Sequence, residues 1–169
     1  MIRLFTLLLV AVMALSACQP AAPTLGADGR PVPKAYKISG READKIPFRM
    51  LDSVNALRGA SSLAPIQLDP QLTAAAATHS RDMQVQNRPW HFGSDGSSPV
   101  DRVRRAGFSG KLVGEVISET YESELETLGA WMAQPDTRRI IMSPEARMMG
   151  ISWFQENNGK IWWTMVLGG

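Results

Sequence analysis

The chain has 169 residues, 44% of them hydrophobic, and its 18 basic and 16 acidic residues give a net charge of +2. A charge so close to zero argues against nucleic acid as the main partner. Cys18 is the only cysteine, so an internal disulfide is excluded and a hydrophobic core must stabilise the fold.

Residues 1–17 predict a signal peptide. One basic residue, Arg3, precedes an apolar run that ends in small residues, and this run is too short for a stable transmembrane helix. The sequence Leu-Ser-Ala-Cys at residues 15–18 resembles the lipobox of bacterial lipoproteins, in which the cysteine is acylated. The resemblance implies lipidation at Cys18 and a membrane as partner through this anchor. The alternative is an ordinary export signal that happens to contain a cysteine.

The residue after the cysteine bears on which membrane is involved. Gln19 stands where lipoproteins retained on the inner membrane of Gram-negative bacteria often carry aspartate, so the resemblance favours the outer membrane. We therefore expect a lipid-anchored protein of the cell envelope that faces the periplasm or the cell exterior.

Residues 18–44 predict a flexible tether that begins with the acylated cysteine. They are rich in proline, alanine and glycine and show almost no apolar periodicity, which is typical of linkers. A flexible segment of this length spans roughly 25–30 Å. Residues 45–169 then form one domain, which is large enough to bury a core of its own.

Apolar residues at three-to-four spacing predict the longer helices of this domain. Residues 47–59 begin with proline and end with glycine, and residues 69–87 begin with an Asp-Pro pair that favours a helix start. His79 lies in the apolar stripe of the second helix, which predicts a buried histidine bonded to a backbone carbonyl. Residues 122–132 predict another helix.

Residues 99–107 predict a short helix that ends at a glycine. It carries three arginines, Arg102, Arg104 and Arg105. We expect this cluster to be a solvated face, and the alternative is contact with an anionic surface.

The last third of the chain predicts most of a sheet. Residues 111–118 are rich in strand-forming residues, and residues 151–155 and 161–167 flank the turn Glu-Asn-Asn-Gly, which predicts a hairpin. Helices followed by late strands favour an α+β fold over parallel βαβ units. The core is expected to contain most of the large aromatic side chains, namely Trp131, Trp153, Trp162 and Trp163.

Short segments in a fixed order across residues 48–169 carry a family resemblance. They are Asn55-Ala-Leu-Arg58, Ala76 with His79 and Asp82-Met83, His91-Phe-Gly-Ser-Asp-Gly96, Asp101-Arg102, Gly114-Glu115-Val-Ile117, Trp131-Met132, Gly150-Ile-Ser and Trp163-Thr164. Together they resemble the CAP superfamily, the sperm-coating-protein-like, antigen 5 and pathogenesis-related 1 domains, in its short bacterial form without cysteines. The resemblance implies a three-layer α-β-α sandwich with an open polar cleft on one side.

In that family the cleft holds two histidines and two acidic residues, which sometimes coordinate a divalent metal. By this resemblance His91 is the first cleft histidine, and Glu115 is the acidic residue of the usual Gly-Glu-Asn segment. The chain departs from the pattern at Thr137, where a histidine is expected, and at Val116, which replaces the asparagine. The second acidic position is one of four glutamates, Glu119, Glu122, Glu124 and Glu126.

The residues present limit the chemistry of this cleft. His91 could be a base, a metal ligand or a hydrogen-bonded part of a turn, and Glu115 could orient it. A catalytic zinc normally has three protein ligands, and only these two are identified. We therefore expect no cofactor beyond weak binding of a divalent metal, and no catalytic residue is assigned. The alternative is a pair that only ties the loop to the edge of the sheet.

The sequence is thus interpreted as a membrane-tethered envelope lipoprotein whose CAP domain is a non-enzymatic binding or interaction module. The resemblance allows a lipid, peptidoglycan or an envelope protein as ligand. The opposing hypothesis is an envelope hydrolase that uses His91 and Glu115. We expect these two side chains to face each other in an accessible cleft, within direct or one-water hydrogen-bonding distance.

Overall fold

A four-stranded sheet is the middle layer of the domain in the computed structural model, which describes residues 36–120 and 122–169. The elements in chain order are α1 (Gly40–Ala43), α2 (Ile46–Ala60), β1 (Gln67–Leu68), α3 (Pro70–Gln86), α4 (Pro99–Arg105), β2 (Leu112–Thr120), α5 (Glu124–Ala133), α6 (Pro135–Ile141), β3 (Met148–Gln155) and β4 (Ile161–Gly168). The strand order is β1-β3-β4-β2. β1 is parallel to β3, and the other two pairings are antiparallel.

Helices cover both faces of this sheet. Helices α2, α5 and α6 supply residues to the larger core cluster, which includes Met50, Leu128 and Ile141 together with sheet residues. Helices α3 and α4 supply the smaller cluster on the opposite face, with Leu72 and Val103. The predicted α+β class and three-layer α-β-α arrangement are therefore confirmed.

The predicted helices form where their ends carry local signals. The Asp69 carboxylate accepts a hydrogen bond from the Leu72 amide, and Pro70 occupies the first turn of α3. The same helix ends at Asn87, whose φ of 48° is in the left-handed region that asparagine tolerates. Ser123 and Glu126 form a reciprocal capping box at the start of α5. These ends lie close to their predicted positions because the signals are local.

Three elements were not predicted from the sequence, and one of them, helix α1, lies within the expected tether. Helix α6 has only seven residues and starts at Pro135, directly after α5 ends, so it is too short to show a helical period. Strand β1 has two residues, and Gln67 and Leu68 pair with Met148 and Met149. Its partner is about 80 residues away in the chain, so only the folded structure reveals it.

The expected tether is wrong for residues 36–44, because the structure packs them on the domain. Tyr36 and Ile38 contact the larger core cluster. The Gln155 side chain holds both, since its amide donates to the Tyr36 carbonyl and its oxygen accepts from the Ile38 amide. Helix α1 follows, and Glu42 forms an ion pair with Arg49 at 2.7 Å. The two apolar side chains that attach this segment, Tyr36 and Ile38, are two residues apart, so they do not show the helical period that predicted the longer helices.

The predicted signal peptide, Cys18 and most of the expected tether lie outside the described residues. Among residues 36–120 and 122–169, none of the helices is both long enough and apolar enough to cross a membrane.

A protein that starts at Lys45 is expected to melt about ten degrees or more below a protein that starts at Lys34. The loss follows from exposure of the surface under Tyr36 and Ile38, about 2–3 kcal/mol in total, and from the lost Glu42–Arg49 pair. Thermal unfolding of residues 34–169 and 45–169, followed by circular dichroism, measures it. Equal melting temperatures would show that this segment contributes nothing to stability.

Candidate functional site

The loop that carries His91 is fastened to the last turns of α3. The Trp90 indole donates to the Gln86 side-chain oxygen at 2.7 Å, and the Gln86 amide donates to the Phe92 carbonyl at 3.1 Å. One turn earlier, the Asp82 carboxylate accepts from the backbone amide of Ser94 at 2.7 Å. These bonds fix the loop on both sides of His91, so the imidazole has a defined position.

His91 and Glu115 contact each other directly, as expected. His91 Nδ1 lies 2.9 Å from Glu115 Oε1, and since a carboxylate accepts, the imidazole donates through Nδ1. The two side chains differ in exposure: the imidazole is 50% exposed and the carboxylate only 2%. His91 is therefore the part of this pair that a ligand can reach, and its Nε2 is left for that contact.

Arg102 is the second partner of Glu115, and the expectation that it lies on a solvated face is wrong. Its Nη2 donates to both carboxylate oxygens, at 2.9 and 2.8 Å, and the arginine side chain is buried. The same guanidinium also donates to the backbone carbonyls of Ser97 and His91. Arg102 therefore neutralises the buried carboxylate and also holds the loop at His91 and at Ser97.

His79 is the third neighbour of Glu115, and its predicted burial on the inward face of α3 is confirmed. The residue is fully buried, and its Nε2 lies 2.9 Å from the Trp90 carbonyl oxygen, to which it donates. The same atom is 3.6 Å from Glu115 Oε1. Its Nδ1 is buried without a hydrogen-bond partner. His79 thus holds the loop in place through the Trp90 carbonyl, and because it is buried, a ligand cannot reach it.

The site keeps Glu115 ionised and His79 neutral. Burial alone would raise the pKa of Glu115, but the hydrogen bond from His91 and the charge and hydrogen bonds of Arg102 outweigh it, so the pKa lies below its ordinary value. Burial lowers the pKa of His79 more than the charge of Glu115 raises it. At neutral pH the buried part of the cluster is therefore a carboxylate–guanidinium pair beside a neutral imidazole.

Thr137 does not take the place of the missing second histidine in this cluster. It lies in α6, and its hydroxyl donates to the backbone carbonyls of Trp131 and Gln134. This helix packs on the sheet face opposite α3, because Ile141 belongs to the larger core cluster. These two hydrogen bonds give Thr137 a structural role at the junction of α5 and α6.

Three of the four candidate glutamates for a second acidic position have carboxylate partners outside this cluster. Glu119 pairs with Lys160 at 2.8 Å and Glu124 with Arg49 at 2.6 Å. Glu126 is part of the α5 capping box, and the Glu122 amide donates to the Thr120 hydroxyl. In the described residues the acidic contribution to the His91 cluster comes from Glu115.

Arg102 was missed although the sequence contains a signal for it. Residues 99, 102, 103 and 106 share one face of a helix, and this face includes Val103 and Ala106, which pack in the smaller core cluster. The helical period thus separates Arg102, on the inward face, from Arg104 and Arg105. The arginines were grouped by their closeness in sequence, which ignores that period.

Comparisons with known proteins agree with this fold. The model of the CAP family, described as the cysteine-rich secretory protein family, matches residues 51–167. The uncharacterised protein YkwD of Bacillus subtilis is 29% identical over 120 residues, which are 71% of this chain and 46% of that protein. The chain thus spans about half the length of the curated relative that it matches.

Solved structures with the same fold are more distant in sequence. An outer surface protein of Borrelia burgdorferi superposes with a TM-score of 0.68 at 17% identity, covering 79% of this chain and 97% of that one. An extracellular protein of Bacillus anthracis that contains an SCP domain gives a TM-score of 0.67 at 18% identity, covering 79% of this chain and 45% of that one. At these identities the likeness concerns the fold.

Proposed function

Because this chain belongs to the CAP family, also called the cysteine-rich secretory protein family, we propose that it is an envelope protein whose domain binds a ligand at His91 without catalysing a reaction. One observation carries the proposal. The Glu115 carboxylate is buried and is bound by both His91 and Arg102, so His91 is the group that the cluster presents to solvent.

A carboxylate in this position is a poor catalyst. Its lone pairs accept three hydrogen bonds, and its low pKa removes the proton that a general acid would need. It is also a poor metal ligand, because a cation would have to displace Arg102 from it. In the described part of the chain, no group of three or more histidine, cysteine, aspartate or glutamate side chains is placed to hold a metal ion. Recognition through the His91 imidazole remains as the best-supported role.

A hydrolase is the second candidate, and one feature favours it. Glu115 holds His91 through Nδ1 and leaves Nε2 facing outwards, which is how a carboxylate orients a histidine that acts as general base. A water molecule would then have to be the nucleophile, because the described hydrogen bonds of His91 include no serine, threonine or cysteine side chain. The activity would depend on His91 alone among the exposed groups.

A ligand screen on the wild type and His91→Ala separates these functions. Lipids, peptidoglycan fragments, envelope proteins and zinc are titrated, with melting temperature and product formation as the readouts. We expect one class to stabilise the wild type and not the variant, without turnover, and zinc to bind more weakly than micromolar. Arg138→Ala, an exposed arginine on α6, is the control that should behave as wild type.

Two outcomes would contradict the binding role. Turnover that persists through purification and disappears in His91→Ala would establish the hydrolase. Submicromolar zinc binding that is lost in both His91→Ala and Glu115→Gln would establish a metal site with a ligand that the present geometry does not identify.

We also propose that the protein is held at a membrane by acylated Cys18, in the outer membrane of the envelope. The lipobox-like residues 15–18 and Gln19 support this. The structural neighbours from Borrelia burgdorferi and Bacillus anthracis are an outer surface protein and an extracellular protein, which agrees with a location outside the cytoplasm. The ligand would then be a component of the envelope.

Labelling of cells with a palmitate analogue tests this anchor. The wild type is expected to take up the label and to fractionate with membranes, and Cys18→Ser is expected to lose the label completely, because no other cysteine can accept a thioether-linked lipid. Ser16→Ala, which leaves the cysteine in place, should still be labelled. Equal labelling of wild type and Cys18→Ser would reject the anchor.

A further inference from the structure

A groove between helices α3 and α4, called the α3–α4 groove, encloses a cavity of about 590 Å³. Its walls come from α3, from the loop that follows His91 and from the end of α4, and among the described residues that line it His91 is absent. This volume is typical of small-molecule sites in proteins. The α3–α4 groove is thus a second concave site, separate from the exposed His91 imidazole.

The walls of the α3–α4 groove are partly apolar and carry small side chains. On α3 the lining residues Ala74, Thr78, Arg81 and Val85 follow at spacings of four, three and four, which places them on one face of the helix. Ala106, directly after α4, lines the groove as well. The small alanines leave the space between the helices open, so the aliphatic part of a ligand fits there.

The acidic side chains of the α3–α4 groove already have donors from the protein. The Asp82 carboxylate accepts from the Ser94 amide at 2.7 Å and from the Ser94 hydroxyl at 2.5 Å. The Asp95 carboxylate accepts from the Ser97 amide at 2.9 Å and is paired with Arg105. Because these carboxylates are bonded internally, neither requires a cation from a ligand.

The basic side chains, in contrast, have unused donors. Arg81 is exposed and contacts the Phe154 ring at 5.8 Å, but among residues 36–120 and 122–169 it has no carboxylate partner. Arg102 is only 4% exposed, and although its two terminal nitrogens are bonded, its Nε is buried without a hydrogen-bond partner. A buried N–H without an acceptor is unfavourable. The α3–α4 groove therefore has a surplus of donors and suits a ligand that brings anionic oxygen atoms.

We propose that the α3–α4 groove binds a short peptide by its free C-terminal carboxylate, with Arg81 and Arg102 as the donors. Arginine binds a carboxylate through charge-assisted N–H···O bonds, which are stronger than those between neutral groups. The site is additional to the one proposed at His91. The two sites meet at Arg102, which lines the groove and also bonds Glu115.

A peptide fits the remaining lining better than a simple anion does. The cavity is much larger than one carboxylate, and Ala74, Val85 and Ala106 offer contacts to small aliphatic side chains. A carboxylate has about four acceptor positions, so Asp82 and Asp95 have room for peptide N–H groups besides their present bonds. Donors for the carboxylate and acceptors for the peptide amides thus line the same groove.

Titration of trialanine and of its C-terminal amide into the full-length protein tests the proposal, with backbone amide NMR shifts as the readout. We expect trialanine to bind with a dissociation constant of about 1 mM or below and to shift the signals of residues 74–85 and 94–106. The amide should bind about tenfold more weakly, because it lacks the charge that the arginines recognise.

Two variants test the assigned walls. Arg81→Met removes the exposed donor, and Ala74→Leu fills the groove without changing its charge, so each is expected to weaken trialanine binding about tenfold. Arg104→Met is the matched control, because Arg104 is an exposed arginine of α4 that does not line the groove, and its affinity should equal that of the wild type. Unchanged melting temperatures establish that the variants are folded.

Three results would overturn the proposal: no binding of trialanine, equal affinity for trialanine and its amide, or wild-type affinity in Arg81→Met. Inorganic phosphate that binds as tightly as trialanine and is weakened by Arg81→Met would overturn it in favour of a simple anion site. The substituted residues do not contact His91 or Glu115, so failure of this site leaves the ligand screen with His91→Ala unaffected.

Discussion

Replacing Gly150 with alanine is expected to destabilise the domain by about 3 kcal/mol or more. Gly150 lies in β3, where the first turn of α3 crosses the sheet. A Cβ atom there would overlap the backbone of Leu72 and Thr73. Backbone atoms cannot move aside as a flexible side chain can, so α3 would have to lift from the sheet.

The displacement would also reach the candidate site. Helix α3 carries His79 and the residues that hold the His91 loop, so a shifted helix loosens the contacts around Glu115. Chemical denaturation followed by circular dichroism measures the loss. Gly129→Ala is the matched control, because Gly129 is in α5 with no atom near its Cβ position, and alanine there should stabilise the helix by about 0.5–1 kcal/mol. A Gly150→Ala protein as stable as the wild type would refute the close approach.

Replacing Arg58 with methionine is expected to cost about 3–5 kcal/mol. Arg58 is fully buried at the end of α2. Its guanidinium donates to four backbone carbonyls, those of Ala64, Ile141, Ser143 and Ala146. Methionine fills similar volume but donates nothing, so these carbonyls lose their donor in a place that excludes water.

The position of the four carbonyls explains the size of the effect. One lies in the segment after α2, one at the last residue of α6 and two between α6 and β3, so a single side chain connects parts of the chain about 85 residues apart. Arg139→Met is the control, since Arg139 is an exposed partner of Asp136 and such surface pairs contribute little. A loss below about 1 kcal/mol for Arg58→Met in urea unfolding would contradict this role.

Family and site could be anticipated from the sequence to different extents. The CAP family and the α-β-α fold were predicted from segments spread over the whole domain, and they are confirmed. The contact of His91 with Glu115 was also predicted, on the resemblance. The role of Arg102 was not, because its burial depends on how α4 packs against β2. Whether the pair binds a ligand, a metal or neither stays a prediction.

The sequence by itself determined the features that depend on neighbouring residues. Asp69, Pro70 and Ser123 specify the starts of α3 and α5, and residues 156–159 specify the hairpin, because a cap or turn acts within a few residues. Tertiary structure alone decided what depends on distant partners. The packing of residues 36–44 depends on Gln155, and the burial of Arg102 depends on Glu115. The sequence alone does not show whether a charged or polar side chain is buried, because its burial is favourable only where the fold places a partner beside it.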